Sequence, residues 1–474
     1  MRLGGDVERV GMRSVPSVAP AKTERRLSAR LDEPWMEQEL AASRFKDVRL
    51  TKRLRKLVAM MSGRIGQSVP CACQDWANTK AAYRFFANDD VGEAQILAGH
   101  FQATEQRLAE ACGRILVLHD TCEFSFQRDH DSALGLIGRA ASGKGKDGRQ
   151  KHFTVRGVLM HSSLAVTSDG LPLGLTAIKF WSRRQFKGCN ALKHLVNPTR
   201  VPITEKESYR WLENLRQSTA RMPRPQECVH IGGRESDIYE LFCLAEELGT
   251  KFLVRTCVNR LGETYRADLE IRYEQLRVRP PIGKQNDYPA LTLTVIHAVE
   301  CKTPRGRDRI VWKLLTNLPV ESLSSAIEKL EWYALRWKIE VFHKILKSGC
   351  KAEESKLRRS ERLVNLIALF CIIGWRVFWL TMLRRSLPAA APAKALTPME
   401  THLLDELVKT QSPPAGKRRR RKRLVDYLTK VAQLGGYLAR ASDPPPGNLV
   451  MWRGLTRLTD IQLGFTLATK LMGN

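Results

Sequence analysis

The sequence predicts an α/β protein in which a mixed sheet lies between two helical regions. Short apolar runs alternate with amphipathic segments between residues 112 and 256, as strands and helices that share one sheet do. Residues 257–318 combine alternating segments with turn signals and indicate a β-rich stretch. The residues before 112 and after 320 show helical periodicity instead. The length of 474 residues suggests about three domains.

The first helical region is predicted to span residues 35–111. Its segment LTKRLRKLVAMM places Leu54, Leu57 and Val58 on one face and the Lys and Arg side chains on the opposite face. Residues 1–34 contain Arg, Ser and Pro without periodicity, and they are predicted to be disordered.

The central region is predicted to span residues 112–384 and to contain the sheet. In chain order we predict a buried strand at 115–118, a Gly- and Lys-rich loop at 135–150, strands at 153–167 and 171–181, a helix at 208–218, a strand, turn and helix over 227–248, and a strand at 251–256. One long helix is predicted over 321–350 and another over 358–384.

The last region, residues 385–474, is predicted to begin with an Ala- and Pro-rich linker and to continue as a helical domain. It contains the basic run Lys417–Arg423, and such runs usually neutralise phosphates without reading a sequence. Just before this region lies the most apolar run of the chain, Leu366–Trp375. A membrane-spanning helix needs roughly 18 or more apolar residues, and Arg376 ends this run, so we predict a buried core helix.

The charge balance favours a polyanionic partner. The chain has 78 Lys and Arg residues against 49 Asp and Glu residues, which gives a net charge of +29. Such an excess is typical of proteins that bind nucleic acid and is rare in enzymes that act on small neutral metabolites. The 11 Cys residues form no CxxC pair, so the usual zinc spacings are absent. Reduced thiols in a cytoplasmic protein are therefore expected.

Two sets of residues could carry chemistry. Asp120 follows the apolar strand at 115–118, where it could either serve a site at the sheet edge or simply start a turn. Further along, a predicted helix places five side chains three or four residues apart on one face: Tyr333, Arg336, Glu340, His343 and Lys347. A carboxylate between cations suits a site where metal ions and phosphates meet. A surface helix with ion pairs has the same spacing, so the residues alone leave both interpretations open.

The spacing Tyr333-x2-Arg336-x3-Glu340-x6-Lys347 resembles the Y-R-E-K signature of bacterial DDE transposases of the insertion-sequence-four family. Other segments agree with this family in order. FKDVRLTKRL and YRFFAN are similar to its N-terminal helices, LVLHDTCEFSF to the segment around its first catalytic Asp, and HIGGRESDIYELF to the segment around its second. The resemblance covers the chain from about residue 35 onward.

The resemblance implies an RNase H-like catalytic core with a β-rich insertion at about 257–318. It also implies that Asp120 and Glu340 are catalytic residues and metal ligands. In this family three carboxylates hold two Mg²⁺ ions, for which Mn²⁺ can substitute, and the ions activate first water and then a 3′-hydroxyl for attack on DNA. Carboxylates are the ligands that Mg²⁺ prefers, and a pair of metal ions stabilises both the entering and the leaving oxygen.

The second acidic motif departs from the family pattern. The family has Asp-Arg-Glu-x-Asp-Ile, whereas this chain has Gly233 in place of the second catalytic Asp. The flanking Arg234, Glu235 and Asp237 still match, so the alignment is not displaced. Glycine has no side chain to bind a metal, and metal sites tolerate only small displacements of a ligand. We therefore expect that neither neighbouring acid replaces the missing one.

The resemblance also assigns DNA contacts. The residues implied to contact transposon-end DNA are Arg49, Lys52, Arg53, Tyr333, Arg336 and Lys347. Trp312 matches a family tryptophan that stacks on a base flipped out of the duplex. From the residue alone, a tryptophan packed in the core of a strand would be the preferred interpretation.

We therefore expect a cytoplasmic DNA transposase that binds double-stranded DNA, at inverted-repeat ends and at the target. It would act as a homodimer in the paired-end complex through its C-terminal helices, with no membrane partner. Because Gly233 stands in place of the second catalytic Asp, we expect cut-and-paste cleavage and strand transfer to be impaired in this chain. One alternative is a catalytically inactive end-binding protein on the same fold, which could inhibit an active relative. Another is a structural RNA-binding protein, which the charge alone would favour.

Overall fold

The computed structural model describes residues 9–10, 35–126, 134–144, 150–183, 201–256, 269–301, 309–408 and 423–472. These residues form a mixed ten-stranded sheet with helical regions before and after it, which confirms the predicted α/β class. The prediction of disorder for residues 1–34 lies outside the described residues, except that Arg9–Val10 form a short strand. The basic run also lies outside them, apart from Arg423.

The N-terminal region is helical, as predicted. Its helices are α1 (Trp35–Leu40), α2 (Val48–Gly63), α3 (Val69–Cys73), α4 (Trp76–Phe86) and α5 (Glu93–Glu110). Side chains cap three of them: the carboxylate of Asp47 accepts a hydrogen bond from the Arg49 amide, the hydroxyl of Ser68 accepts one from the Cys71 amide, and the carboxylate of Asp75 accepts one from the Asn78 amide. The predicted apolar face of α2 is buried, with Leu54, Leu57 and Val58 fully inaccessible to solvent.

The strands of the sheet are β1 (Arg9–Val10), β2 (Ile115–Ser125), β3 (Leu136–Lys144), β4 (Gln150–Thr167), β5 (Pro172–Trp181), β6 (Cys228–Gly232), β7 (Lys251–Arg255), β8 (Leu269–Val278), β9 (Leu291–Glu300) and β10 (Val311–Thr316). Their order across the sheet is β1-β8-β9-β10-β7-β6-β2-β4-β3, and β5 also pairs with β4. Strands β2, β6 and β7 are parallel to one another, and the other pairs are antiparallel.

Helices between and after the strands cover the sheet. They are α6 (Tyr209–Ala220), α7 (Tyr239–Glu247), α8 (Leu323–Ala334), α9 (Trp337–Lys344), α10 (Ser360–Ser386), α11 (Pro398–Leu407), α12 (Leu424–Leu434) and α13 (Asn448–Met472). Helix α10 is long and apolar enough to cross a membrane, but 89% of its most apolar window is buried inside the protein. This burial supports the prediction of a core helix.

Two sequence-based predictions about this region are wrong. Residues 136–144, predicted as a loop, form strand β3, because pairing with β4 supplies hydrogen bonds that local Gly-rich sequence does not reveal. The single helix predicted over 321–350 is broken after α8. There the amides of Arg336 and Lys338 donate to carbonyls three residues back, which tightens the chain into a turn before α9 begins.

A buried ion-pair cluster joins the N-terminal helices to the sheet. Glu39 of α1 is 1% exposed and accepts hydrogen bonds from His100 and Arg107 of α5. The other ring nitrogen of His100 accepts the amide hydrogen of Leu175 in β5 at 3.0 Å, and the Arg107 guanidinium lies 4.1 Å from the ring centroid of Trp375 in α10. Burial alone would raise the pKa of Glu39, but Arg107 and His100 hold it below its ordinary value.

Replacing Glu39 should be strongly destabilising. The Glu39→Gln variant leaves the half-buried Arg107 without its counter-charge and His100 without its carboxylate acceptor, and breaking a buried pair in this way costs about 3 kcal/mol. Urea denaturation monitored by circular dichroism measures the loss. Glu37→Gln is the matched control, since Glu37 is exposed on the same helix and should change stability by less than about 0.5 kcal/mol. Equal midpoints for the Glu39 variant and the unmodified protein would refute the role of this cluster.

Candidate active site

Asp120 lies in the middle of strand β2, so the prediction that it follows the end of the strand is wrong. The strand continues to Ser125 because β4 pairs with its whole length, with Asp120 opposite Ser162. The carboxylate remains 27% exposed at one face of the sheet. The residues of β2 that precede Asp120 are hydrogen-bonded to β4 on one side and to β6 on the other. This pairing fixes the position of Asp120.

Gly233 lies beside Asp120. Strand β6 runs parallel to β2 with Leu118 opposite Ile231 and ends at Gly232, so Gly233 follows the strand two residues beyond Ile231, as Asp120 lies two residues beyond Leu118. Gly233 begins the short turn after β6 with φ −78° and ψ −163°, a conformation that any residue can adopt. A Cβ atom added there would meet no heavy atom within 4 Å. The position can therefore accept an Asp side chain, but this chain has none there.

Glu340 reaches the same place from helix α9. Arg336, in the turn before α9, pairs with both carboxylates: its guanidinium contacts Glu340 one helical turn away and lies 3.6 Å from Asp120 Oδ2. His343 Nδ1 lies 3.9 Å from the same Asp120 oxygen, and its Nε2 is 2.8 Å from Ser162 Oγ. The structure thus brings Asp120 and Glu340 to one guanidinium, that of Arg336, and the catalytic roles of these residues stay predictions.

The environment perturbs the ionisation of Asp120. Burial raises the pKa of its carboxyl to about 6, with Glu340 and Glu235 acting in the same direction and Arg336 opposing them. Glu235, which is not expected to replace the missing acid, is close enough for its charge to reach Asp120. Its carboxylate is nonetheless held by Arg210 at 2.5 Å and is 66% exposed.

The remaining residues of the predicted signature lie on separate segments. Tyr333 is at the end of α8, where it is buried and its ring packs edge-on against Trp312, with centroids 5.3 Å apart. It also shares a hydrogen bond with Arg255 of β7. Lys347 lies in a π-helical turn after α9 and is 3.8 Å from Glu353. The break after α8 and this turn mean that these residues do not share the one continuous helix that was predicted.

Trp312 lies on strand β10, and the predicted DNA-binding cations Arg49, Lys52 and Arg53 lie on helix α2. Trp312 is half-buried on β10, and its indole N–H has no hydrogen-bond partner among the described residues. On α2, Arg49 is exposed and pairs with Asp47 at 2.9 Å, and Lys52 is exposed. Arg53 instead donates to the Asn78 side chain at 3.2 Å, which ties α2 to α4.

The described residues do not fit a site for two metal ions. Within the described part of the chain, no group of three His, Cys, Asp or Glu residues is placed to hold a metal ion. Asp120 and Glu340 supply two carboxylates, and the cation between them is the Arg336 guanidinium. Two carboxylates that already share a guanidinium are a poor ligand set for a pair of Mg²⁺ ions, which require several oxygens in fixed positions.

Two features of the site escaped the sequence analysis. Arg210 of α6 is 11% exposed, and it donates to Thr121 next to Asp120 as well as to Glu235. A row of buried histidines also lies behind the site: His119 Nε2 is 2.8 Å from His230 Nδ1, and the ring of His161 lies 6.1 Å from that of His119. These contacts join residues up to 111 positions apart, so no local pattern indicates them.

The comparisons with known families agree with this geometry. Residues 32–91 match the family model described as Transposase DNA-binding, and residues 209–374 match the model described as Transposase DDE domain. The second match includes both Gly233 and Glu340 and extends through most of α10. The mixed sheet with its helical flanks is accordingly RNase H-like, as predicted. A DNA-binding domain followed by a DDE domain, on this sheet, supports the assignment of the chain as a DDE transposase.

Proposed function

We propose that this protein binds the inverted-repeat ends of a transposon as a homodimer and that its DNA-cleaving chemistry is impaired at Gly233. The register of the parallel strands β2 and β6 supports the proposal most strongly, because it leads to Asp120 on β2 and to Gly233 just after β6, where an acid would complete the site. We also propose that the protein acts in the cytoplasm and that its C-terminal helices form the dimer contacts.

The residues that are present suit DNA binding better than cleavage. When metal ions are bound, a DDE site uses them to activate water and a 3′-hydroxyl. Here Arg336 pairs with Asp120 and Glu340, and Arg210 pairs with Glu235, so two guanidinium groups offset two of the three carboxylate charges. A site in which the acids are paired with guanidinium groups repels the phosphates of a DNA backbone less than free carboxylates would.

The catalytically inactive end-binding protein is the second candidate, and Gly233 favours it. The two candidates differ in residual cleavage. Incubation of the purified protein with a supercoiled plasmid that carries the ends, with Mg²⁺ and with Mn²⁺, separates them: slow nicking that Glu340→Ala abolishes indicates an impaired transposase. Complete absence of nicking, with end binding retained, indicates a binding protein.

Binding to DNA should depend steeply on salt. With a net charge of +29, several phosphates are neutralised on binding, so the slope of log K against log salt should be about −4 or steeper. Affinity should then fall on the order of a hundredfold between 50 and 200 mM KCl. Fluorescence anisotropy with 30-bp duplexes that tile the DNA on both sides of the gene measures the slope and locates the ends.

RNA serves as the competitor in the same assay. End duplexes should displace bound hairpin RNA of equal length at lower concentration, because the proposed partner is duplex DNA. If RNA instead displaces every duplex, the structural RNA-binding alternative is correct. If no tile binds more tightly than a mixed-sequence duplex, the proposal that the protein recognises ends fails.

A further inference from the structure

Strands β3 and β4 form an arm that extends beyond the rest of the sheet. Strand β4 pairs with β2 only from Gly157 onward and with β5 only from Leu159 onward. Within the described part of the chain, residues 150–155 therefore pair with β3 alone. At about 3.3 Å per residue, β4 reaches roughly 20 Å past its last pair with β2. We call residues 138–144 and 150–155 the β3–β4 arm.

The arm is tightly packed at its base and open beyond it. At the base, a Cβ atom added to Gly157 would clash with the carbonyl oxygen of Phe124 in β2, so β4 lies directly against β2 there. Further out, a Cβ atom added to Gly138 or to Gly143 would meet no described heavy atom within 4 Å. The arm is therefore held by the sheet at one end, and the described protein leaves space around its outer part.

Both faces of the arm are open to solvent. Neighbouring side chains on a strand point to opposite faces, and two neighbouring pairs on β4 are exposed: Gln150 with Lys151, and Phe153 with Thr154. Phe153 is a large apolar residue, and 53% of it is exposed. A two-stranded ribbon by itself is only marginally stable in water. An arm that exposes both faces, one of them with an aromatic ring, is therefore suited to a partner that encloses it.

The shape and charge of the arm fit a groove in a polyanion. Strand β3 contributes mainly small residues, with the sequence GRAASGK over residues 138–144, so the ribbon is slim on that side. Paired strands lie about 4.8 Å apart, and the major groove of B-DNA, about 12 Å wide, admits such a ribbon. The arm contains Arg139, Lys144 and Lys151 but no Asp or Glu. Lys151 is exposed and has no ion pair with any described residue.

We propose that the β3–β4 arm lies in the major groove of duplex DNA, with the Phe153 ring against base edges and Lys151 directed to a phosphate. These two residues are two positions apart and therefore share one face of β4. In the major groove, apolar side chains such as Phe contact the thymine methyl group. The arm lies outside both matched ranges, 32–91 and 209–374. The inference rests on the proposed function in taking DNA as the partner, and it adds a contact made by the sheet.

DNA with a filled major groove tests the proposal. Phe153 is nine residues from Ser162, which pairs with Asp120, so roughly 30 Å of strand separate the arm from the candidate site. A 30-bp duplex is about 100 Å long and can reach both. Two duplexes of one mixed sequence are compared. One has ordinary cytosine, and in the other every cytosine carries a glucosylated hydroxymethyl group, which fills the major groove and leaves the phosphates unchanged.

Anisotropy with the full-length protein from 50 to 300 mM KCl measures affinity for both duplexes. The unmodified protein should bind the filled duplex roughly tenfold more weakly or worse. Phe153→Ala should weaken binding to the ordinary duplex by about fivefold or more, and it should bring the two affinities closer together. Its log–log salt slope should stay unchanged, since an apolar contact releases no counterions. Lys151→Gln should instead make the slope shallower by about 0.9.

Two controls make the result specific to the arm. Phe153→Ala should keep the thermal midpoint of the unmodified protein, because the ring is exposed. Ile282→Ala removes an 88% exposed apolar side chain from the loop between β8 and β9 and should leave both affinities unchanged. The inference is overturned if the unmodified protein binds both duplexes equally, if Phe153→Ala keeps the same ratio of affinities, or if Ile282→Ala loses as much.

The outcome is independent of end recognition, because both duplexes have a mixed sequence. A failure of end recognition appears instead as equal binding of all the tiled duplexes, and the comparison between ordinary and filled duplexes still holds there. If the unmodified protein binds no duplex at all, both the proposed function and the role of the arm are refuted.

Discussion

Gly233→Asp is expected to raise the rate of Mg²⁺- or Mn²⁺-dependent DNA nicking by about a thousandfold or more. Phosphoryl transfer depends mainly on the placement of metal ions and on charge stabilisation, so a third carboxylate beside Asp120 and Glu340 should lower the barrier by roughly 4 kcal/mol. The fold should accommodate the change, because φ at this position is −78° and no heavy atom lies within 4 Å of the new Cβ. Conversion of supercoiled plasmid carrying the ends to open circles measures the rate.

Matched variants make this experiment specific to the carboxylate. Gly233→Asn has nearly the same shape without the charge and should nick no faster than the unmodified protein. Adding Glu340→Ala to Gly233→Asp should abolish the gained activity. Titration calorimetry with Mn²⁺ supplies a readout independent of turnover, since only the Asp variant gains a ligand. If the unmodified protein nicks as fast as Gly233→Asp, then Glu235 becomes the candidate ligand, and Glu235→Gln should stop the reaction.

The free energy of unfolding is expected to fall by about 4 kcal/mol between pH 7.5 and pH 5.5. Burial lowers the pKa of His119 and His343 to about 3, and it lowers that of His161 and His230 well below the ordinary value. The folded protein therefore keeps all four rings neutral, whereas the unfolded chain protonates them near pH 6.5. Each such histidine costs about 1.4 kcal/mol of stability per pH unit below that value.

Asp120 opposes this loss in part. Its pKa is raised to about 6 by burial, so between pH 7.5 and 5.5 the folded protein takes up a proton that the unfolded carboxyl takes up only near pH 4. This uptake returns roughly 1 kcal/mol, which leaves the net loss near 4 kcal/mol. Urea denaturation at pH 7.5, 6.5 and 5.5 measures the free energy of unfolding. In the His230→Asn variant this free energy should fall less toward pH 5.5, by about the contribution of one histidine. A stability that is flat or rises toward pH 5.5 would contradict the neutral state of the four rings.

The sequence predicts the fold where local patterns decide it. The apolar run at 115–118, the strands ending at Thr167 and Trp181, and the helix in residues 358–384 are all present, because hydrophobic periodicity and turn residues are local properties. Strand β3 was missed, since it is stabilised by pairing with β4, and the register of that pairing is irregular at two places. Its sequence, LIGRAASGK, has little strand propensity of its own.

In the candidate site, too, local patterns predict some features and long-range packing decides the others. The spacing of Arg336, Glu340 and Lys347 predicts one helical face, and the ion pair between Arg336 and Glu340 is present. The tight turn before α9 and the π-helical turn after it leave the spacing nearly unchanged, so periodicity cannot reveal them. Arg210 and the contact between His119 and His230 depend on how distant segments pack, which no pattern within either segment encodes.

The cluster of Glu39, His100 and Arg107 limits how this protein could exchange parts with a relative. Its members belong to α1 and α5, yet they are bonded to β5 and stacked on Trp375 of α10. A chimera that replaces only α1 to α4, the helices within the DNA-binding match, would therefore leave Arg107 of α5 without its counter-charge beside the sheet. New end specificity should be acquired most readily by substitutions on exposed faces of the N-terminal helices, or by exchanging α1 through α5 together with the matching residues of β5 and α10.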